Sequence, residues 1–415
     1  MKIFKIIANI LLVLVLYIYI HNPIMANGIG SCKLLYVFAI LFVALNLKQF
    51  TRYVKLFKTE FYLILALIVY SVFEFARSGE PNNMRLHIVG MMEYFVLPFF
   101  IIYCINYIGD KEKGAIIKFM LIVGSVGAVI TTACVISPSF NEFVRLTINK
   151  AVLSAMDDYR ANAMYRGFGV SEALNYSYGI IQGMFFVFAL YYYKRFKWAL
   201  PMSFFIILSA ALNARTGLVV AAFGLLLYFF YGKKNTSFLI SLVLFLCFFI
   251  YLNPIFNLLG ISTQTLDWLS LFIEESYSVI SKASLTASDT TSYMFVDMLV
   301  FPRDFIEWII GCGYDIYWSA TRRSDLGWIV QLNYGGIIYM LLELSLLVYI
   351  YKRFKKNGFK NLAVFLAIAF IISNTKGPAL PNSGIFRFIM LIYIYYIMYS
   401  TEMKDYNLTS LNIKM

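Results

Sequence analysis

Histidine is nearly absent from this chain: His21 and His87 are its two imidazoles. Its five cysteines stand singly, at Cys32, Cys104, Cys134, Cys247 and Cys312, mostly inside apolar runs and with no CxxC pair. That pattern supplies neither the thiol spacing of a disulfide framework nor the donors of a zinc site. Paired acids are as scarce. Asp157/Asp158 and Glu274/Glu275 are immediate neighbours, whose side chains point to different sides of a helix and make no metal clamp. No metal and no cofactor is expected. Charged residues make up only 14% of the sequence, and it carries no internal repeat or low-complexity tract.

What fills the chain is apolar. With 61% hydrophobic residues and a mean hydropathy of +0.75, it exceeds what a water-soluble domain of 415 residues carries. Runs long enough to cross a hydrocarbon core of about 30 Å recur from the N-terminus to Ser400, so residues 1–415 read as one integral membrane domain, all-α and polytopic. The first run, Ile3 to Ile20, follows Lys2 and Lys5 and lacks a small-residue cleavage site before His21, which makes it a retained anchor.

The net charge of +13 would suit nucleic acid, but its placement excludes that partner. The basic residues punctuate the apolar runs at Lys48/Arg52/Lys55/Lys58, Lys111/Lys113, Lys194/Arg195/Lys197, Lys233/Lys234 and Lys352/Arg353/Lys355/Lys356/Lys360, as the positive-inside bias places cytoplasmic loops. Using them as inside markers gives about twelve spans, 3–20, 32–47, 60–76, 86–106, 115–137, 173–193, 198–213, 216–231, 237–252, 326–350, 361–373 and 385–400, with both termini cytoplasmic. Trp198 to Tyr231 is too long for one crossing: 34 residues would extend about 51 Å as a single helix. The run must turn, and Asn213-Ala214-Arg215-Thr216-Gly217 has the small and turn-prone residues for it, which puts Arg215 at the outer boundary.

Two outward segments, 138–172 and 253–325, are too long for plain connectors. The second contains "TLDWLSLFIEESYSVI", whose apolar and acidic residues segregate as in an interfacial helix, and "FPRDFIEWIIGCG", where Pro302 suits a helix's first turn and Gly311 its end. Arg77, Arg85, Arg166, Arg215, Arg303, Arg322, Arg323 and Arg387 all fall outside or at the outer boundary, where the positive-inside bias disfavours them. Guanidinium forks match phosphate oxygens and keep their charge in a low dielectric, so the set points to an anionic headgroup ligand. The alternative is ion pairing with Glu74, Asp304 or Asp325, or snorkelling to lipid phosphates. Asp325 opens the tenth span beside Arg322 and Arg323 as a base or, with Ser324, as a helix cap. Glu93 and Glu343 lie inside spans, where a carboxyl is protonated, paired or functional. "GCG" at 311–313 and "YGG" at 334–336 permit tight turns or close helix approach. Trp268, Trp308, Trp318 and Trp328 are aromatics available to stack on sugar rings.

In order and topology the segments "NPIMANGIGS", "YRGFGVSEALNYSYG", "LNARTGLVV", "IIGCGYD" and "SDLGWIVQLNYGGIIYMLL" resemble the O-antigen polymerase (Wzy-type) family of bacterial inner-membrane glycosyltransferases, over most of the chain. The resemblance implies a GT-C-like helical bundle under a partly helical periplasmic loop. Its substrates would be undecaprenyl-diphosphate-linked oligosaccharides, the growing chain passing from its carrier to a newly flipped unit, with a chain-length regulator and a flippase as partners beside the membrane lipids. Carried over residue by residue, Arg166 matches the arginine of the first outward motif and Arg215 that of the hairpin. Both would hold the diphosphate, Arg215 also stabilising the transition state. Asp325 takes the acidic position before the tenth span as general base, and Arg322 and Arg323 a further basic role. The arginine-x10-glycine loop motif of some members is absent at Arg160, Arg166 and Arg303. Two other functions compete: an O-antigen ligase, which would carry a histidine near Asp325 where none occurs after His87, and a lipid-linked oligosaccharide flippase or other transporter, which more often keeps short connections.

Overall fold

The computed structural model describes residues 2–24, 30–108, 114–146, 169–171, 176–231, 274, 278, 281–282, 292–318, 322–381 and 383–406. Among them the architecture is helical, with one isolated antiparallel bridge between Ile24 and Gly30. The helices are α1 (Lys2–His21), α2 (Cys32–Leu45), α3 (Leu47–Leu56), α4 (Lys58–Ser78), α5 (Asn82–Ile108, with a π-helical section at Met92–Val96), α6 (Ala115–Ile136), α7 (Pro138–Leu146), α8 (Tyr176–Tyr192), α9 (Ala199–Asn213), α10 (Arg215–Tyr231), α11 (Phe305–Ile310), α12 (Gly327–Lys356), α13 (Lys360–Asn374) and α14 (Gly384–Tyr406).

Five of these are long and apolar enough to cross a membrane: α1 from Ile3, α4, α5, α6 and α12. The bent pair α2 and α3 adds a sixth if it counts as one span, and α9, α10, α13 and α14 contain shorter apolar stretches. The expected span 237–252 lies outside the described residues. Side-chain exposure separates two kinds of helix. Almost wholly apolar apart from Gln182 and Arg387, α8 from Ser177 to Leu190 and α14 from Ile385 to Ile397 are sealed in the centre. In α1 and α4 only 28% of the spanning window is buried, and Ile7, Leu11, Phe73 and Val69 stand in the open. In water such faces would cost about 25 cal/mol per Å², whereas hydrocarbon removes that cost, so the exposed apolar band is compatible with a membrane surrounding.

Lys48, Arg52 and Lys55 prove to lie on a helix and not in an open loop. At Asn46 the chain bends by 101°, and α3 then buries Tyr53, whose hydroxyl donates to the Phe95 carbonyl (2.8 Å), while its lysines and Arg52 stay exposed. Basic clusters gather at this end of the bundle. Arg353 near the end of α12 pairs with Glu60 at the start of α4 (2.5 Å), Arg195 lies against Gly114, and Ser400 Oγ donates to Asn357 (3.4 Å).

The opposite end carries the long connections and is called the loop end here. There the run from Trp198 breaks as expected: α9 stops at Asn213, Ala214 is extended (φ −154°, ψ 124°), and α10 begins at Arg215. The break is held against α8, where a Cβ on Gly179 would lie 2.8–3.0 Å from Ala214.

The two glycine motifs meet each other. Gly336 (φ 63°, ψ −164°) kinks α12, which frees the carbonyls of Asn333 and Tyr334 from the helix. They accept instead from the N–H groups of Cys312 (2.7 Å) and Gly313 (2.9 Å). As expected, Gly335 and Gly336 admit neighbouring helices: a Cβ on Gly336 would collide with the carbonyl of Ile309 in α11, and one on Gly335 would lie 3.0 Å from Tyr70 of α4. Gly311 ends α11 as expected (φ 77°), but Pro302 does not start it. Asp304 does, its Oδ1 accepting from Ile306 N (2.8 Å) and Glu307 N (2.9 Å), since a short acidic side chain satisfies the first free N–H groups. Gly336→Ala should therefore lower the thermal midpoint in detergent well beyond Gly79→Ala: Gly79 (φ 76°, ψ 0°) is left-handed helical, a strain of about 1–2 kcal/mol, with no neighbour within 4 Å, whereas Gly336 (φ 63°, ψ −164°) holds a backbone that only glycine adopts and meets Ile309 as well. Equal shifts would contradict the docking.

Candidate functional site

The loop end collects polar and charged groups around the start of α12. Arg322 reaches across three elements, donating to the Phe301 carbonyl (2.8 Å) and Asn333 Oδ1 (3.0 Å) and lying 3.6 Å from Glu307. It ties the segment before α11 to α12. Arg323 differs: its side chain is 59% exposed, and its Nε stands 3.4 Å from Asp325 Oδ1. Of the two guanidinium groups, Arg323 is the one presented outward.

Asp325 caps no helix. The cap position of α12 is Leu326, whose N–H donates to Ser324 Oγ (3.2 Å), while Ser324 Oγ donates to the Met298 carbonyl (2.8 Å). Asp325 is 31% exposed and close enough to Tyr176, at the start of α8, and to Tyr317 to act on both electrostatically. Tyr176 sets its hydroxyl over Gly377 in the connection between α13 and α14. Three residues farther on, Gly179 contacts Ala214 beside Arg215. The first turns of α8 thus link Asp325 to the hairpin. The side chain of Arg215 and the whole of Arg166 lie outside what the structure describes, as does most of "TLDWLSLFIEESYSVI".

The other outer arginines divide. Arg85 and Arg303 are exposed. Arg77 pairs with Glu74, also donates to the Gly311 carbonyl (2.7 Å), and so clamps the α11 turn to α4. Arg387, in the first turn of α14, is fully buried and takes the ion-pairing alternative, with Glu93 as its partner: its Nη1 lies 2.9 Å from Glu93 Oε2. Glu93 is accordingly paired, and Tyr36 donates to its other oxygen (2.6 Å). Glu343 accepts from Gln331 (2.8 Å), which in turn accepts from Asn374 (2.8 Å).

Sequence reasoning passed over the acid that ends "IIGCGYD". Asp315 lines a cavity of about 70 Å³ together with Asn83, Gln331, Tyr334, Tyr339, Pro378 and Pro381. The backbone N–H of Tyr317 donates to Asp315 Oδ1 (3.0 Å). Burial pushes the Asp315 carboxyl up from its ordinary value, the Tyr317 N–H opposes this, and nearby Glu80 adds to it. Tyr317, between Asp315 and the Arg323/Asp325 pair, is pushed up to about 12, by burial first and then by Asp325. The available signal was an acid directly after a two-glycine turn, Gly311-Cys312-Gly313-Tyr314-Asp315. The Cys312 thiol in that turn is also pushed up by burial, which suits a packed side chain and not a nucleophile.

An apolar groove of about 310 Å³ lies between α12 and α13, lined by Trp328, Leu347, Phe354, Leu366, Phe370 and Ile389. On α13 its lining runs from Ala363 to Ile371, about 12 Å of helix. An exposed stack of Phe301 on Trp308 (ring centroids 5.8 Å apart) flanks the loop end.

No protein-family model matches the chain, and no curated protein matches it in sequence.

Proposed function

We propose that the chain is an O-antigen polymerase of a bacterial inner membrane, a glycosyltransferase of GT-C-like architecture with about twelve spans and both termini in the cytoplasm. It joins undecaprenyl-diphosphate-linked oligosaccharide repeat units at the periplasmic face, without a metal. The observation that carries this reading is the Arg323/Asp325 pair a few residues before Trp328, which lines an apolar groove between α12 and α13. A polyprenyl diphosphate has the matching form, a long apolar tail under an anionic head. The order of motifs resembling the polymerase family adds to it.

In the reaction the bond between the donor sugar's anomeric carbon and the diphosphate oxygen breaks, and negative charge grows on the departing diphosphate. Fixed guanidinium groups favour that charge more than the ground state, which is what lowers a barrier. Arg215 and Arg166 take this role in the proposal, with Arg323 beside them. Arg322, bonded to Phe301 and Asn333, positions the segment that bears Arg323. Asp325 orients Arg323 or receives the acceptor's proton. A chain-length regulator and a flippase are the protein partners of this scheme.

Deleting the gene and separating the lipopolysaccharide by electrophoresis tests the function. A polymerase deletion leaves core bearing a single repeat. Loss of even that repeat would identify a ligase, and build-up of unflipped intermediate a flippase, and either would displace the proposal.

A further inference from the structure

We infer that Asp315, and not Asp325, is the catalytic base for the acceptor, and that the cavity it lines receives the non-reducing end of the acceptor sugar. This rests on the polymerase reading. A base must reach the acceptor hydroxyl in a site that holds the sugar and limits water. Asp325 is poorly placed for that, because one of its oxygens faces the Arg323 Nε at 3.4 Å on the exposed side of the loop end. Asp315 meets the conditions. Its carboxyl borders a cavity whose other polar lining, Asn83, Gln331, Tyr334 and Tyr339, is uncharged; Gln331 is itself held by Glu343 and Asn374 and the Tyr339 hydroxyl by His87, which fixes the shape of that lining. The volume, about 70 Å³, accommodates several waters or one edge of a sugar ring, in keeping with a terminal residue dipping in from the loop end. Asp315 Oδ1 is fixed by the Tyr317 N–H, which leaves Oδ2 for the substrate. Facing Asp315 are Glu80 from the connection between α4 and α5, Tyr317 from its own turn, and Tyr334 and Tyr339 from α12; among these described neighbours none is a cation that would hold it as a spectator.

The step balances as follows. The acceptor O–H gives its proton to Asp315, its oxygen forms the new bond to the donor's anomeric carbon, and the bond from that carbon to the diphosphate breaks with its electron pair going to undecaprenyl diphosphate. Asp325 in this scheme positions Arg323 for the leaving diphosphate.

The test uses the purified full chain in nanodiscs, with the undecaprenyl-diphosphate-linked repeat extracted from cells lacking this gene. Turnover is followed for Asp315→Asn, Asp315→Glu and Asp325→Asn, and binding of undecaprenyl diphosphate alone is measured in parallel. The expected result is about a 100-fold fall in kcat for Asp315→Asn with undecaprenyl diphosphate binding unchanged, partial recovery in Asp315→Glu, and a weaker donor interaction in Asp325→Asn. Turnover within threefold of wild type in Asp315→Asn overturns the inference while leaving the polymerase reading intact. Joint loss of binding and turnover in both Asp315 variants marks a structural residue and overturns it as well. A wild-type chain that does not elongate the repeat refutes the polymerase reading itself, and the inference with it.

Discussion

Arg215→Ala should abolish the polymer ladder while the protein remains inserted and at its normal level. The residue opens α10 directly after the extended Ala214, and that break is anchored by the close approach of Gly179 to Ala214. A hairpin so fixed holds its first residue at the loop end, where Asp325 and Arg323 are linked to it through the first turns of α8. Removing one preorganised group that meets developing charge lowers kcat by about 10²–10³. Chain growth multiplies that loss, because a polymer of n repeats needs the step n − 1 times. Arg215→Lys should recover only part of the rate, since an ammonium keeps the charge but loses the fork. The measurement is lipopolysaccharide electrophoresis beside a membrane-fraction immunoblot. A full ladder from inserted Arg215→Ala would remove Arg215 from the chemistry.

The second large effect is on stability. Glu93 and Arg387 are 294 positions apart, are 2% and 0% exposed at their side chains, and meet at 2.9 Å. Tyr36 donates to Glu93, and the Tyr19 hydroxyl bonds the carbonyls of Glu93 (2.8 Å) and Arg387 (3.1 Å), so the pair locks α1, α2, α5 and α14 together. Removing one partner strands a charge in a medium with no water to screen it, a loss of about 3–5 kcal/mol. Arg387→Met alone should lower the thermal midpoint in detergent sharply and cut the inserted yield. Glu93→Gln with Arg387→Met should recover much of it, because the double variant buries no unpaired charge. Additive losses in the two single variants and their combination would mean that the groups do not couple.

These examples show what local pattern conveys and what it does not. The break after Asn213 was legible because a run of that length cannot cross once and because its middle holds turn-forming residues. Gly311 as a helix end was legible for the same local reason. The partner of Arg387 was not legible, because Glu93 lies almost 300 residues away and nothing near either residue encodes the meeting. The two glycine motifs were each visible, but their docking depends on the Gly336 kink freeing two carbonyls that only the distant turn satisfies. Asp315 escaped notice because its significance comes from a cavity assembled from α5, α12 and the connection before α14. The basic residues of α3 gave their charge away but not their geometry, since a bend of 101° at Asn46 leaves no compositional trace.

The most direct test of the central claim, that the loop end transfers glycosyl chains between polyprenyl carriers, is reconstitution of the purified chain alone in liposomes with its lipid-linked repeat. The account predicts a ladder of lipid-linked oligomers and release of one undecaprenyl diphosphate for each bond formed. Repeat units that cross the bilayer without lengthening, or that lengthen only when lipid A-core is supplied as acceptor, would contradict it.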